Sequence, residues 1–194
     1  MDFIKADIPG VVIIKPKIIE DNRGYFVETF REDLFSDFIG YKINFCQDNE
    51  TKSKKGVLRG LHFQIPPFAQ SKLVRVIQGE VLDISVDIRH GSPTFGKYVA
   101  EYLSHKNMKQ IFIPRGFAHG FLVISDYVIF SYKVDSIYSS KHDSGLAFND
   151  PTVNIDWGSQ HNQLILSEKD LSLPHLGDLK KECLQFRFDK NLYE

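Results

Sequence analysis

The apolar residues of this chain come in short bursts cut by turn formers, and that rhythm restricts the fold more than any other feature. The clearest burst is 81–89, where Leu82, Ile84, Val86 and Ile88 alternate with Asp83, Ser85 and Asp87. Successive side chains of a strand point to opposite faces, so this segment has one apolar face and one polar face. His90-Gly91-Ser92-Pro93-Thr94-Phe95-Gly96 then reads as a loop and 97–103 as the next strand. Further strands are predicted at 24–29, 42–47, 57–64, 72–78, 110–113, 119–124 and 127–134. Short strands in this number, with no internal repeat, specify an all-β sandwich or barrel. Two segments read differently. Thr29-Phe30-Arg31-Glu32 has the form of a capping box, followed by Leu34, Phe35, Phe38 and Ile39 at helical spacing and then Gly40. Ser167-Glu168-Lys169-Asp170 opens a second short helix before Pro174. The 194 residues suit one domain, 1–194, whose polar and weakly patterned end, 176–194, reads as a C-terminal surface tail.

Charge excludes whole classes of function. With 24 Lys+Arg against 25 Asp+Glu the formal charge is -1, which argues against a basic surface for nucleic acid or for an anionic membrane. The longest apolar runs, 11–14 and 127–130, fall far short of the roughly 20 residues that span a bilayer. The start, Met1-Asp2-Phe3-Ile4-Lys5-Ala6-Asp7, lacks the pattern of a secretory signal, so a cytoplasmic protein is expected. Cys46 and Cys183 form no CxxC pair and read as two free thiols in a reducing compartment.

Polar residues inside strand-like segments direct attention to chemistry. In 57–64, strict alternation places Arg59 with Leu61 on one side and Leu58, His62 and Gln64 on the other. In 111–123, His119 stands in an otherwise apolar stretch within Pro114-Arg115-Gly116-Phe117-Ala118-His119. That hexapeptide has the form of the second motif of metal-binding cupins, a group of small β-barrels. The first motif departs from theirs: His62-Phe63-Gln64 lacks the second His, and the next charged group is Lys72, whose ammonium repels a cation. The expectation is therefore a cupin-type jelly-roll with a few short peripheral helices and no metal. Without a metal, a neutral imidazole serves as a general base and a fixed ammonium holds an oxyanion. Such a set suits proton abstraction beside a carbonyl, with a tyrosine such as Tyr132 or Tyr138 returning the proton on the opposite face. Taken singly, these residues have ordinary structural uses. Asp170 fits a cap of its own helix, Arg23 and Asn49 fit turns, and Lys169 fits a solvated helix charge.

The blocks Asp21-Asn22-Arg23-Gly24-Tyr25-Phe26 with Glu28, Gln47-Asp48-Asn49, Val57 to Gln64, Lys72-Leu73-Val74-Arg75-Val76, Gly91 to Gly96, Pro114 to Phe121, Tyr132-Lys133, Asn149-Asp150-Pro151 and Leu166 to Asp170 stand in one order over about residues 8–172. In that order and spacing the chain resembles the dTDP-4-dehydrorhamnose 3,5-epimerases, metal-free cupin enzymes of deoxysugar biosynthesis. The resemblance implies that His62 is the base, that Asp170 orients it, that Lys72 holds the enolate oxygen and that Tyr132 is the acid. It implies anion contacts from Arg23, Arg59 and Lys169, polar contacts from Glu28, Gln47 and Asn49, a place for His119 beside sugar and phosphate, and stacking of Tyr138 on thymine. His142-Asp143 stands where the family usually has His-Glu, so Asp143 brings a carboxylate one methylene shorter to the family's nucleotide contact, and whether it makes that contact stays open. The resemblance further implies a dTDP-linked 4-keto-6-deoxyhexose as substrate and no cofactor. It implies a homodimer in which Arg23, Phe26 and Glu28 complete the neighbour's site. Three other readings stay open: an epimerase that inverts a single carbon, a metal-dependent cupin, and a non-catalytic sugar-nucleotide binding module.

Overall fold

A computed structural model describes residues 1–158 and 164–193. Its strands form two antiparallel sheets. The six-stranded sheet runs β1 (Asp2–Lys5), β2 (Val12–Lys15), β10 (Gln110–Ile113), β7 (Lys72–Gln78), β12 (Tyr127–Val134), β5 (Gln47–Lys54). The five-stranded sheet runs β13 (Asp143–Gly145), β6 (Leu58–Gln64), β11 (Phe117–Val123), β8 (Glu80–Asp87), β9 (Tyr98–Ser104). The chain crosses between sheets at nearly every step from β5 to β13, which is the winding of a jelly-roll. A separate hairpin, β3 (Ile18–Asp21) and β4 (Gly24–Val27), belongs to neither sheet.

Apolar burial occurs in three layers. Between the sheets, Val74, Val76, Ile111, Phe121 and Phe130 meet. Outside the five-stranded sheet, Leu82, Ile84 and Val86 are covered by Trp157, Leu179 and Phe186. Outside the six-stranded sheet, Val12, Ile14, Leu73 and Phe112 are covered by Phe35 of α1 (Glu32–Ile39). The alternation in 81–87 therefore has a consequence that a water-facing strand would lack. Both faces of β8 are covered, and its polar residues Asp83, Ser85 and Asp87 are 0% exposed and point between the sheets.

Several sequence expectations need correcting. The strand predicted at 42–47 lies at Gln47–Lys54 instead; this edge strand is polar on both faces, so apolar periodicity gave it no signal. β1, β2, β3 and β13 were not predicted, each being only three or four residues long. Helix α1 ends as expected on Gly40 with φ 84°, yet Thr29 does not cap it; the cap position is Arg31, without a side-chain bond, and the Thr29 carbonyl accepts from Gln110. The second helix, α2 (Glu168–Leu171), is capped as read, with the Asp170 amide donating to Ser167 Oγ at 3.1 Å. The C-terminal segment is not confined to the surface. A 3-10 turn (Leu176–Asp178) and α3 (Lys180–Cys183) bury Leu176, Leu179, Cys183 and Phe186, whose widely spaced apolar side chains the sequence reading passed over. Burying side chains of this kind contributes roughly 1.5–3 kcal/mol each.

Candidate active site

A β-bulge sets the site. In the pairing of β6 with β11, His62 opposes His119 and Arg59 opposes Phe121, so three steps on β6 match two on β11. The extra residue reverses the side-chain parity. Arg59 and His62 share the face between the sheets, while Leu58, Leu61 and Phe63 all join the outer core. Strict alternation, which paired Arg59 with Leu61 and Leu58 with His62, fails here for that reason. Two glycines make the close approach possible. A Cβ on Gly60, at φ +134°, would stand 2.5 Å from the Gly120 Cα, and one on Gly120 would stand 2.7 Å from the Arg59 carbonyl oxygen.

The bulge leaves His62, His119 and Ser85 in one row across β6, β11 and β8. His62 Nε2 lies 2.6 Å from Asp170 Oδ1, the carboxylate being almost fully buried and the imidazole 31% exposed. With Nε2–H donated to the carboxylate, Nδ1 is the nitrogen free to take a proton. Burial works to raise the Asp170 pKa, but its bonds to His62 and Ser167 prevail and hold it below the ordinary value, so it stays anionic. His119 Nε2 lies 2.9 Å from Asp83 Oδ2. Burial pulls the His119 pKa down against the pull of Asp83, which keeps this imidazole neutral at pH 7.

The six-stranded sheet supplies the facing groups. Lys72 begins β7 and donates from Nζ to the His62 carbonyl at 3.2 Å. Burial lowers its pKa to about 8, with Asp83 and Asp143 opposing the fall and Lys169 adding to it. Tyr132 on β12 pairs with Asn49 of β5 and Val74 of β7. Burial raises its phenol, with Arg59 opposing, so the proton is retained at neutral pH. Phe130 fixes this region, stacking on Phe121 at 3.9 Å and standing 6.1 Å from the Tyr132 ring. His62 and Tyr132 thus come from opposite sheets, an arrangement able to take a proton from one side of a carbon and return one to the other.

At the rim the other expected residues form a connected chain. Gln47 Nε2 donates to Asn49 Oδ1 at 2.8 Å, and Gln47 Oε1 accepts from the Tyr138 amide at 3.3 Å. The Tyr138 hydroxyl donates to Asp143 Oδ2 at 3.0 Å, and Lys169 Nζ pairs with the same oxygen. Arg59 Nε reaches Ser53 Oγ at 3.0 Å. Arg23, Phe26 and Glu28 are not brought to this site within one chain. Arg23 is spent on Asp21 at the hairpin tip, Phe26 is 63% exposed and Glu28 pairs with Arg31 at 3.6 Å. The sequence reading missed Asp83. Its signal was present in the polar face of 81–89, which was used to find a strand and not to ask where that face points.

The family dTDP-4-dehydrorhamnose 3,5-epimerase matches over residues 5–178. The chain belongs to that family. A dTDP-4-dehydrorhamnose 3,5-epimerase of Shigella flexneri is 49% identical over 172 residues, covering 89% of this chain and 94% of the relative. Among solved structures, the dTDP-6-deoxy-D-glucose-3,5-epimerase of Legionella pneumophila, in complex with dTDP-4-keto-L-rhamnose, superposes with TM-score 0.92 at 42% identity, over 97% of this chain and 99% of that one. A 3'-monoepimerase of Streptomyces bikiniensis in complex with dTDP-quinovose superposes with TM-score 0.86 at 29% identity, over 92% and 90% of the two chains. The fold of this epimerase family is the cupin-like jelly-roll expected from the motifs.

Proposed function

We propose that this member of the epimerase family inverts C3 and C5 of dTDP-4-dehydro-6-deoxy-D-glucose, giving dTDP-4-dehydro-L-rhamnose. The observation that carries the reading is His62 on one sheet, bonded to Asp170 of α2, with Tyr132 on the other sheet and the Lys72 ammonium bonded to the His62 carbonyl. His62 Nδ1 removes the proton next to the C4 ketone, and the electron pair moves onto the ketone oxygen as an enolate. Lys72 stabilises that oxygen; a pKa of about 8 leaves it mostly charged at pH 7. Tyr132 then protonates the carbon from the opposite side, and solvent restores both residues. The same set acts at C3 and at C5, each beside C4. The ketone is the electron sink, so the chemistry calls for no cofactor.

Arg59, Lys169 and His119 hold the diphosphate and sugar, Gln47, Asn49 and Asp143 add polar contacts, and Tyr138, 57% exposed at the rim, stacks on thymine. The active form is a homodimer in the cytoplasm, in which Arg23, Phe26 and Glu28 serve the partner's site. The exposed apolar tip of the hairpin, with Ile19 56%, Tyr25 61% and Phe26 63% exposed, supports that assembly. Solvent deuterium uptake tests the reaction. Label at both C3 and C5 is expected; label at one carbon alone makes this a single-site epimerase, and a sugar left unlabelled after long incubation overturns the reading.

A further inference from the structure

We propose that Gln64 is a positioning residue for the nucleotide end of the site. Its buried carboxamide, at the end of β6, grips the backbone on both sides of Tyr138 and sets that ring where it stacks on thymine. The inference rests on the reading above for what Tyr138 does, and on geometry for how Gln64 acts. Gln64 is 3% exposed and lies two residues beyond His62. Its Nε2 donates to the Phe68 carbonyl at 2.7 Å and to the Ile137 carbonyl at 3.1 Å, and its Oε1 accepts from the Ser139 amide at 2.6 Å. Both N–H groups and the oxygen are therefore used. The orientation follows from chemistry, because a reversed carboxamide would set its oxygen against two carbonyls. The bonds at Ile137 and Ser139 bracket Tyr138, whose own amide donates to Gln47 Oε1 at 3.3 Å.

Ile137 and Tyr138 are 58% and 57% exposed. Packing fixes a ring by enclosing it, and a ring this exposed takes its place from the backbone that bears it. Its hydroxyl bond to Asp143 ends on another rim side chain, one shared with Lys169, whereas Gln64 ties the rim to a strand of the barrel. Around Gln64 the loop 65–71, between β6 and β7, is sewn to the loop 135–142, between β12 and β13. Gln70 Nε2 donates to the Ser136 carbonyl at 2.7 Å, the Ser71 amide to Asp135 Oδ1 at 2.6 Å, and the Ile65 amide to the His142 carbonyl at 2.9 Å. Of these bonds, those of Gln64 fall nearest to Tyr138 along the chain. A hydrocarbon side chain of the same length would leave three backbone groups without them, and Glu would set an anionic oxygen against two carbonyls. Gln64 touches no substrate and acts through the ring.

The test is Gln64→Met, alone and combined with Tyr138→Ala, followed by turnover of the dTDP-sugar and by titration calorimetry with dTDP and with inorganic pyrophosphate. Stacking of a base on an aromatic ring changes affinity about 5- to 150-fold, so a ring displaced but not removed is expected to cost about tenfold. KM for the dTDP-sugar and Kd for dTDP should both rise by that factor, while kcat and Kd for pyrophosphate change by less than about twofold. With Tyr138→Ala already present, Gln64→Met should add less than about twofold, because two changes that act through one ring are not additive. Equal losses for dTDP and pyrophosphate, or a full further loss beside Tyr138→Ala, overturn the proposal. If Gln64→Met does not fold, Gln64→Glu, which keeps an acceptor for the Ser139 amide, carries the same tests. A Tyr138→Ala protein that binds dTDP as the wild type does defeats the stacking reading, and hydrogen exchange then decides the positioning by itself. The Tyr138 amide must exchange at least about tenfold faster in the Gln64 variant, beyond any change in the core amides of β8, and an unmoved rate overturns the proposal.

Discussion

The barrel interior and the β3–β4 hairpin carry residues that the family resemblance assigned to one site, yet they are built in opposite ways. At the barrel, His62 is bonded to Asp170 of α2 and His119 to Asp83 of β8, so both imidazoles are oriented before any ligand arrives. On the hairpin, Arg23 has an 85% exposed side chain and bonds only to Asp21, two residues away. The difference teaches where preorganisation comes from. One chain by itself bonds His62 to Asp170 of α2 and Lys72 to the His62 carbonyl, because β6, β7 and α2 meet there. Arg23 projects outward from the hairpin and is held by its own turn, not by either sheet.

If the interior is complete in itself, removing its base has the largest effect. His62→Ala is expected to lower kcat by about 10³–10⁴-fold, near the upper range for general acid–base catalysis, and to abolish deuterium uptake at both carbons. A circular dichroism melt unchanged from the wild type would place the loss in chemistry, since the imidazole is part-exposed.

Lys72→Met comes next, and it separates function from stability. Loss of one oxyanion donor is expected to reduce kcat about 10²–10³-fold. The fold, by contrast, should gain. The pKa of Lys72 falls from 10.5 unfolded to about 8 folded, so the native state binds fewer protons than the unfolded state between those values and stability rises with pH across that window. Below pH 8 the whole cost of the buried charge is present, about 3 kcal/mol from the size of the shift, with the attractions of Asp83 and Asp143 already included. Urea unfolding at pH 7 should therefore show Lys72→Met more stable by about 1–3 kcal/mol, the gap closing as pH approaches 10.5. A variant less stable than the wild type at pH 7 would mean that the ammonium is better solvated than its position indicates.

The hairpin side of the comparison breaks with a mixing experiment. Arg23→Ala is expected to raise KM about 10–100-fold, the scale of a lost charge-assisted bond to phosphate, and to leave kcat nearly unchanged. Mixing inactive His62→Ala chains with Arg23→Ala chains should restore activity at low substrate, because one of the two sites in each hybrid then has both residues. No restoration under exchange conditions would return Arg23 to the chain that bears it.

Legibility from sequence follows the same division. The strands read from short apolar runs, 72–78, 110–113 and 127–134, stand where they were expected, and so do the Ser167 cap and the Gly40 terminus. Two things were hidden. The edge strand Gln47–Lys54 is ordered by its pairing with β12, which no property of its own polar residues announces. The bulge at Gly60 defeats alternation because register is a relation between two strands, and only the Gly60–Gly120 approach creates it. The residues themselves suggested His62, Lys72 and a tyrosine, Tyr132 or Tyr138, and the family resemblance chose Tyr132 and added Asp170, all without that geometry. Asp83, 0% exposed and bonded to His119, had to wait for the fold to show that a polar strand face was turned inward.

The smallest effect is expected at Asp143, which lies on the rim between the two regions. Its carboxylate already joins Tyr138 and Lys169, and its hydrogen bond to the phenol raises the pKa of Tyr138. Asp143→Glu adds one methylene and reaches farther over the nucleotide without adding charge. Because Tyr138 and Lys169 are both half-exposed, they can follow the longer side chain at little cost. The expected change in kcat/KM for the dTDP-sugar is within about threefold, on the scale of a surface substitution, with unchanged kcat. A much larger gain in affinity, measured by titration calorimetry with dTDP, would show that the short carboxylate leaves the rim incompletely closed around the nucleotide. The rim would then belong with the hairpin, as a part of the site that one folded chain does not finish.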